Sequence, residues 1–397
     1  MANHDLMRTT NTLEILKCVR DAGPLTKREI QARVGLSWGA VSNITGDLLR
    51  RGLLAECKRK ETSVGRTPSI YEINGQRNLC IGLDINAEGI TGVLTDLKCR
   101  SIKETRLNNL ENTRAGILDQ VGQVIRTLSA DLAGRLIGIG VAMQGSVDAE
   151  HGVSVFSPYF PDWHNVPIKK LLEDEFGIQT RVEHDPNCMA LAEQWLGVAR
   201  EVKNVLFVRM TMGIGLSIMI DGRIYRGADG NAGEFGHIIM NPGGLRCTCG
   251  NYGCLEAYAS GRSILARAME GIRLGRCGGV DPPADGTELK LETIADAARQ
   301  GHAYLAGLFE EAGSYLGIGL SSLVNILNPE LIVIGGGLAR FADLFLERAK
   351  AAAMDKVWKG CRVNLVLSSL PNNAAAIGAA GMIAQDVFAG SYPSLVG

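Results

Sequence analysis

No uninterrupted apolar run in this chain reaches the ~18 residues that a membrane-spanning helix needs, and its opening Met1-Ala-Asn-His-Asp lacks a charged-then-apolar leader. A cytoplasmic protein with no membrane partner is therefore the expectation. A large excess of charge of either sign is also missing, with 41 Lys and Arg against 42 Asp and Glu. That balance argues against a chain that is basic or acidic throughout, but it hides an asymmetry. Residues 1–77 hold 13 basic side chains against 8 acidic ones, and the remainder 28 against 34. Basic charge gathered at one end suggests a nucleic-acid or membrane contact there, although such an excess is often only a solvated surface. Cysteine is not scarce, at ten residues. In an unexported chain these are free thiols or metal ligands, because reducing systems keep disulfides rare. At 397 residues the chain exceeds one ordinary domain and provides for two or three cores.

The densest chemistry lies between His237 and Glu256. His237 is followed after nine residues by Cys247-Thr-Cys249, and after four more by Cys254-Leu-Glu256. One imidazole and three thiolates are the donors a Zn²⁺ ion takes in a tetrahedron. A closed shell of His237, Cys247, Cys249 and Cys254 leaves no open position for hydrolysis, so the zinc is expected to be structural and to pin a loop. The plain alternative is three thiols brought close by chance. Glu234-Phe-Gly-His237 and Cys254-Leu-Glu256 flank the shell with polar groups suited to one small ligand.

At the basic end, Asn11 to Ala22 carries an apolar stripe at Leu13, Leu16 and Val19 that stops at Gly23-Pro24. Thr26 is placed to cap a second helix through Val34, Gly35 makes a sharp turn, and Ser37 caps a third helix to about Arg51 with Val41, Ile44, Leu48 and Leu49 inward. Leu53 to Cys57 and Ile70 to Ile73, joined through Lys58-Arg59-Lys60 and Gly65-Arg66, read as a two-stranded wing. A generic three-helix bundle is the competing reading, and the basic wing favours DNA. Ser37, Trp38, Ser42 and Asn43 are then candidates for base edges in the major groove, and Lys27, Arg28, Lys58, Arg59, Lys60 and Arg66 for phosphates or the minor groove. Trp38 packing on the wing is the alternative for that residue.

From Leu79 the pattern becomes a glycine-punctuated meander: Cys80 to Asn86, Ile90 to Asp96, and Ser101 to Leu107. A similar triplet recurs at Val205 to Met210, Gly215 to Ile220 and Arg223 to Arg226, with further strands at Leu136 to Ala142 and Leu331 to Ile334. The repetition implies two similar α/β lobes, and ligands of such pairs sit in the cleft between them.

On these residues, above all Glu234-Phe-Gly-His237 with Cys247-Thr-Cys249-Gly-Asn-Tyr-Gly-Cys254-Leu-Glu256, residues 78–397 resemble the ROK family of repressors and sugar kinases. The added winged helix resembles its xylose-type and N-acetylglucosamine-type repressor branch. The resemblance implies an α/β, two-lobed actin-like ATPase (sugar-kinase-like) fold preceded by a winged helix-turn-helix. Its expected parts are a DNA-binding domain at 1–77, a first lobe at 78–184 completed by 373–397, and a second lobe with the zinc at 185–372. It also implies that Glu234, His237 and Glu256 bind sugar hydroxyls, since carboxylates accept from vicinal diols and a neutral imidazole can serve metal and ligand at once. Val182-Glu-His184-Asp185-Pro-Asn187 matches the family's E-N-D-x-N segment. Asp185 falls at the kinase base position, here a vestige, and His184 stands for the usual Asn beside the sugar. Asp185 before proline is equally suited to start a helix. Tyr159 replaces another usual Asn.

Family kinases carry D-x-G-G-T after the first strand, because glycine lets backbone N–H groups approach phosphates. This chain has Asp84-Ile-Asn86-Ala87-Glu88 there, so two glycines have gained side chains and Glu88 brings like charge to a polyphosphate. Ile214 stands where kinases tend to have Thr. The expectation is a sugar-responsive repressor with no kinase activity, released from a palindromic operator by a small sugar, and a homodimer or dimer of dimers. The alternative is an active hexose or N-acetylhexosamine kinase with a DNA-binding appendage.

Overall fold

The computed structural model describes residues 2–57, 69–108, 113–132, 134–157, 159–160, 162–280, 289–392 and 395, with side chains from residue 7 onward. The chain divides into two units, Met1–Trp195 with Asn373–Gly397 and Leu196–Asn372. The expected lobe boundary at 184 thus differs from the observed division. The helix that begins at Asp185 stays with the first unit, because its residues 185–193 are buried there.

Helix α1 (Ala2–Ala22) begins well before the expected Asn11. Apolar periodicity marks only the half that buries Thr12, Ile15, Leu16 and Val19, whereas Met7, Arg8 and Thr10 face solvent and leave no stripe. After β1 (Leu25–Thr26), α2 (Lys27–Val34) opens on a reciprocal cap. Thr26 Oγ1 accepts from Glu29 N–H at 3.2 Å, and Thr26 N–H donates to Glu29 Oε2 at 2.7 Å. Gly35 ends it with φ 68°, and Ser37 Oγ accepts from Ala40 N–H to start α3 (Trp38–Arg50), whose inner face is Val41, Ile44, Thr45 and Leu48. Strands β2 (Leu54–Cys57) and β3 (Ile70–Ile73) pair antiparallel, with β1 on the other edge of β3.

The rest of the first unit is built on β4 (Leu79–Asn86), β5 (Gly89–Thr95), β6 (Ser101–Leu107), α4 (Arg114–Ser129), β7 (Leu136–Met143), β8 (Ser146–Asp148), β9 (Val153–Phe156), β10 (His164–Val166), α5 (Ile168–Phe176), β11 (Thr180–His184) and α6 (Asp185–Leu196). Its sheet runs β11-β7-β4-β5-β6, antiparallel through the meander and parallel at β4-β7 and β7-β11. The C-terminal helix Ala374–Ala389 lies flat on this sheet over the facing pair Gly82 and Gly140. A Cβ on either glycine would run into the carbonyls of Ala376 and Ala379, so only glycine permits this approach.

The second unit repeats the wiring with β12 (Val205–Met210), β13 (Ile214–Ile220), β14 (Arg223–Ile224), α7 (Glu256–Ala259), α8 (Gly261–Arg273), α9 (Leu291–Arg299), α10 (Ala303–Leu327), β15 (Leu331–Gly335), α11 (Leu346–Lys356) and β16 (Leu365–Leu367). The order β14-β13-β12-β15-β16 mirrors the first sheet: a meander on one side, two parallel strands on the other. The duplication expected from the recurring triplets is present. Among the described residues no helix is long and apolar enough to cross a membrane.

Candidate functional site

The four expected metal donors converge. One ligand atom each from His237, Cys247, Cys249 and Cys254 lies within 4.8 Å of all the others. Cys249 Sγ is 3.7 Å from Cys254 Sγ, and Cys247 Sγ is 3.7 Å from His237 Nδ1. Zinc–sulfur arms of ~2.3 Å imply a tetrahedron with edges of about 3.8 Å, so these spacings suit Zn²⁺. Left to themselves, sulfurs this close ionise unequally: against burial, hydrogen bonds from the Asn251 backbone, Cys247 and Cys254 lower the Cys249 thiol, whereas burial raises that of Cys247. Burial, and then the Cys249 and Cys247 sulfurs, push the Cys254 thiol up to about 12. A dication would reverse that balance by holding thiolates. All four donors belong to the protein and could together hold a metal ion.

Backbone hydrogen bonds help to bring the donors together. His237 closes a short 3₁₀ turn, Phe235–His237, with its N–H on Glu234 O at 3.0 Å. Leu255 N–H then returns to Ile238 O at 2.9 Å, and Ile239 bridges Cys254. Gly253, at φ 78°, sits against Asn241 O, where a side chain would collide. Tyr258 supports the loop from below, its hydroxyl accepting from Leu245 N–H at 2.8 Å and its ring stacked on Tyr315 at 4.1 Å.

The carboxylates expected to read a sugar sit at this staple. His237 turns Nδ1 to the sulfurs and Nε2 outward, 3.9 Å from Glu234 Oε2, and the Glu234 side chain is 53% exposed. Glu256, half-buried at the start of α7, accepts from Ile214 N–H at 3.0 Å through Oε2 and from Thr248 Oγ1 at 3.2 Å through Oε1. It therefore ties the first residue of β13 to the metal loop, a structural duty that the motif did not disclose. Thr248 and Tyr258 were likewise not foreseen, for their partners come only with the folded loop.

In the first unit, His184 ends β11 and Asp185 begins α6 with no intervening loop. Asp185 is 1% exposed, with Oδ1 3.5 Å from His184 Nε2. Glu183 Oε1 accepts from both His184 N–H at 3.0 Å and Asn187 Nδ2 at 2.9 Å, which fixes the strand-to-helix junction. Asp185 thus starts the helix.

The turn from Asn86 to Glu88 uses its own donors. Ala87 N–H points to Gln144 Oε1 at 3.2 Å, Glu88 N–H to Asn86 Oδ1 at 2.8 Å, and Asn86 Nδ2 to Asp84 Oδ2 at 2.9 Å. Glu88 pairs with Arg106 at 3.0 Å. In the second unit Thr211 Oγ1 accepts from Arg209 Nη1 at 3.1 Å, and Ile214 is buried.

On α3, Trp38 at 49% exposure and Asn43 face solvent. Ser37 is exposed, although its hydroxyl serves as the cap. Ser42 is half-buried and accepts from Lys27 Nζ at 3.1 Å, the ammonium lying 5.6 Å from the Tyr71 ring centroid. Arg28 is exposed on α2. Lys58, Arg59, Lys60 and Arg66 lie outside the described residues.

Residues 80–386 match the ROK family, and residues 8–55 match the winged helix-turn-helix DNA-binding family. A putative xylose repressor of Caldicellulosiruptor sp. is 31% identical over 100% of both chains. The N-acetylglucosamine repressor of Escherichia coli O157:H7 is 30% identical over 98% of this chain and 96% of that one. Among solved structures, a ROK family transcriptional regulator described as a homolog of the E. coli MLC protein superposes with TM-score 0.84 at 25% identity, covering 98% of this chain and 99% of that one. A ROK family glucokinase from Streptomyces griseus, solved with glucose and AMPPNP, gives TM-score 0.65 at 28% identity over 77% of this chain and 98% of that chain. The kinase match stops short of the whole chain, whereas the regulator match includes the N-terminal reader. The chain belongs to the ROK family, with a winged helix-turn-helix at its N-terminus.

Proposed function

We propose that the protein is a DNA-binding transcriptional repressor whose hold on a palindromic operator is released by a small sugar or sugar derivative, and that it transfers no phosphoryl group. The observation that carries the second half is the occupied turn at Asn86, Ala87 and Glu88. A phosphate cradle needs backbone N–H groups aimed at the ligand, and here Asn86 and Gln144 already take two of them. The full-length likeness to regulators supports the first half.

In this reading His184, Asp185, Glu234, His237 and Glu256 hold the sugar, and a structural zinc on His237, Cys247, Cys249 and Cys254 fixes the last three of those groups. Two copies pair so that their α3 helices reach major grooves about 34 Å apart, one turn of DNA. The protein works in the cytoplasm. A ligand moves such an equilibrium only by its differential affinity for the two states, so the sugar favours the arrangement that misplaces the readers. The buried Asp185 favours one rival, an active kinase with a DNA-binding appendage. A coupled assay with ATP and candidate hexoses decides between them: turnover on the order of 1 per second or more would overturn the non-catalytic reading. Operator titration with D-xylose and N-acetylglucosamine tests the sugar response directly, and an operator affinity indifferent to every sugar would overturn that.

A further inference from the structure

Arg20 lies in the last turn of α1, in the DNA-binding module, yet its neighbours come from the body. Its guanidinium carbon is 5.4 Å from the Trp195 ring centroid and 4.9 Å from that of Phe388, and the two rings are 5.9 Å apart. Asp21 holds the fork in place through contacts of 2.6 and 3.1 Å. Trp195 sits near the end of α6, the helix that starts at Asp185, and Phe388 is on the C-terminal helix that covers the first sheet. Trp195 is also the last residue of the first unit before the chain leaves it. A planar cation on two aromatic faces is favourable and direction-specific.

The same module is fastened elsewhere. Leu13 lies against Gly390, where an added Cβ would meet it. Asn78 Nδ2 donates to Gly52 O at 3.0 Å, and Lys98 Nζ, on the turn after β5, reaches Glu72 Oε2 on β3 at 2.5 Å. Arg51 Nη1 donates to Leu395 O at 3.3 Å. These contacts join α1, the end of α3 and the wing strand to the body. A reader on a free linker would show none of them.

We propose that Arg20, clasped by Trp195 and Phe388, latches the winged helix to the first unit so that the two move as one body, and that sugar lowers operator affinity by re-placing this docked reader, not by undocking it. The inference rests on the sugar-responsive reading above. Helix α6 supplies the connection: twelve residues make a rod of roughly 18 Å, running from Asp185, in the expected sugar segment, to the Arg20 contact.

Hydrogen exchange of the full-length protein, with and without saturating D-xylose or N-acetylglucosamine, tests it. A duplex selected from random DNA by the protein itself serves as operator probe. First, one of the two sugars must weaken operator binding by the unaltered protein. If neither does, the functional reading fails, and the latch fails with it for want of a response to transmit. Given that response, the amides of α1 and of Ala374–Ala389 should keep their protection when sugar binds. Faster exchange in α1 by tenfold or more on sugar binding would mean undocking and overturn the proposal. Arg20→Gln and Trp195→Leu provide the second readout. Each should leave sugar affinity within about twofold but shrink the sugar-dependent change in operator affinity, typically 5–150-fold for such couplings, to less than half its size. An unchanged ratio in both variants would overturn the latch, as would loss of sugar affinity in step with operator affinity.

Discussion

Replacing Glu256 separates its two duties. In Glu256→Ala the buried Ile214 N–H loses its acceptor and Thr248 its partner. An orphaned buried donor costs about 1–3 kcal/mol, which in a domain of this size lowers the melting temperature by a few degrees to ~10 °C. That variant alone cannot tell a sugar ligand from a brace. Glu256→Gln can, because the amide oxygen still accepts from Ile214 N–H while its NH₂ donates to Thr248 Oγ1, a hydroxyl able to accept. The brace survives and only the negative charge is lost. Hydrogen bonds from sugar hydroxyls to a charged acceptor contribute about 1.5–3 kcal/mol, so sugar affinity should fall roughly 10- to 150-fold at ~1.4 kcal/mol per decade. Isothermal titration with D-xylose or N-acetylglucosamine reads the affinity, and scanning calorimetry reads the stability. Glu256→Gln should melt near the unaltered protein, bind sugar poorly and still hold its operator. Sugar binding within twofold of normal would refute the assignment of Glu256 to the sugar. A melting temperature as low as that of Glu256→Ala would refute the brace argument.

Atomic emission on freshly purified protein should find one zinc per chain, and Cys254→Ser should lose it together with protease resistance in residues 238–256; a folded, sugar-binding protein free of zinc would contradict the staple. Operator affinity should fall on a log–log plot with added salt by about 0.9 per phosphate neutralised, and Lys27→Ala should flatten that slope by about one, unless the Lys27 contact to Ser42 is its whole role. The Cys57 thiol and then the Lys98 ammonium hold the Glu72 carboxyl below the ordinary range. A depressed acid stabilises the fold above its unfolded value of ~4.3 and loses that contribution as pH falls through its folded value. Acid should therefore loosen the seat of β3 on the body, detected as faster exchange at Ile70–Ile73 below pH 4, and Lys98→Met should reduce that acid effect; exchange indifferent to both would count against it.

What could be read from the sequence was what local chemistry sets. Thr26, Gly35 and Ser37 mark helix ends through atoms within a few residues, and each stands where expected. The donors from His237 to Cys254 share one short loop, so spacing alone brought them together. The recurring meander was visible because strand alternation and glycine punctuation are local too. The start of α1 escaped because Met7, Arg8 and Thr10 face solvent and leave no stripe. Gln144 reaching Ala87, Glu256 reaching Ile214 and Arg20 reaching Trp195 and Phe388 escaped for another reason. Each joins segments far apart in the chain, and only the packed sheets and helices decide which ones meet.

One of those distant contacts changes the reason for expecting poor nucleotide binding. From sequence, the objection to a polyphosphate at the Asn86–Glu88 turn was the side chains gained at two glycine positions together with the charge of Glu88. Folded, Glu88 is 77% exposed and paired with Arg106, and an exposed, partnered carboxylate repels weakly across water. The objection therefore passes to the donors. A phosphate oxygen would have to displace Gln144 from Ala87 N–H and Asn86 from Glu88 N–H, and Gln144 is itself buried, with its displaced amide oxygen losing a partner. Each exchange replaces an existing hydrogen bond with another, so the net gain that makes an empty glycine turn grip phosphate is missing. In the proposed reading, the side chains of Asn86 and Gln144 would exclude nucleotide less by bulk or charge than by letting the turn satisfy itself.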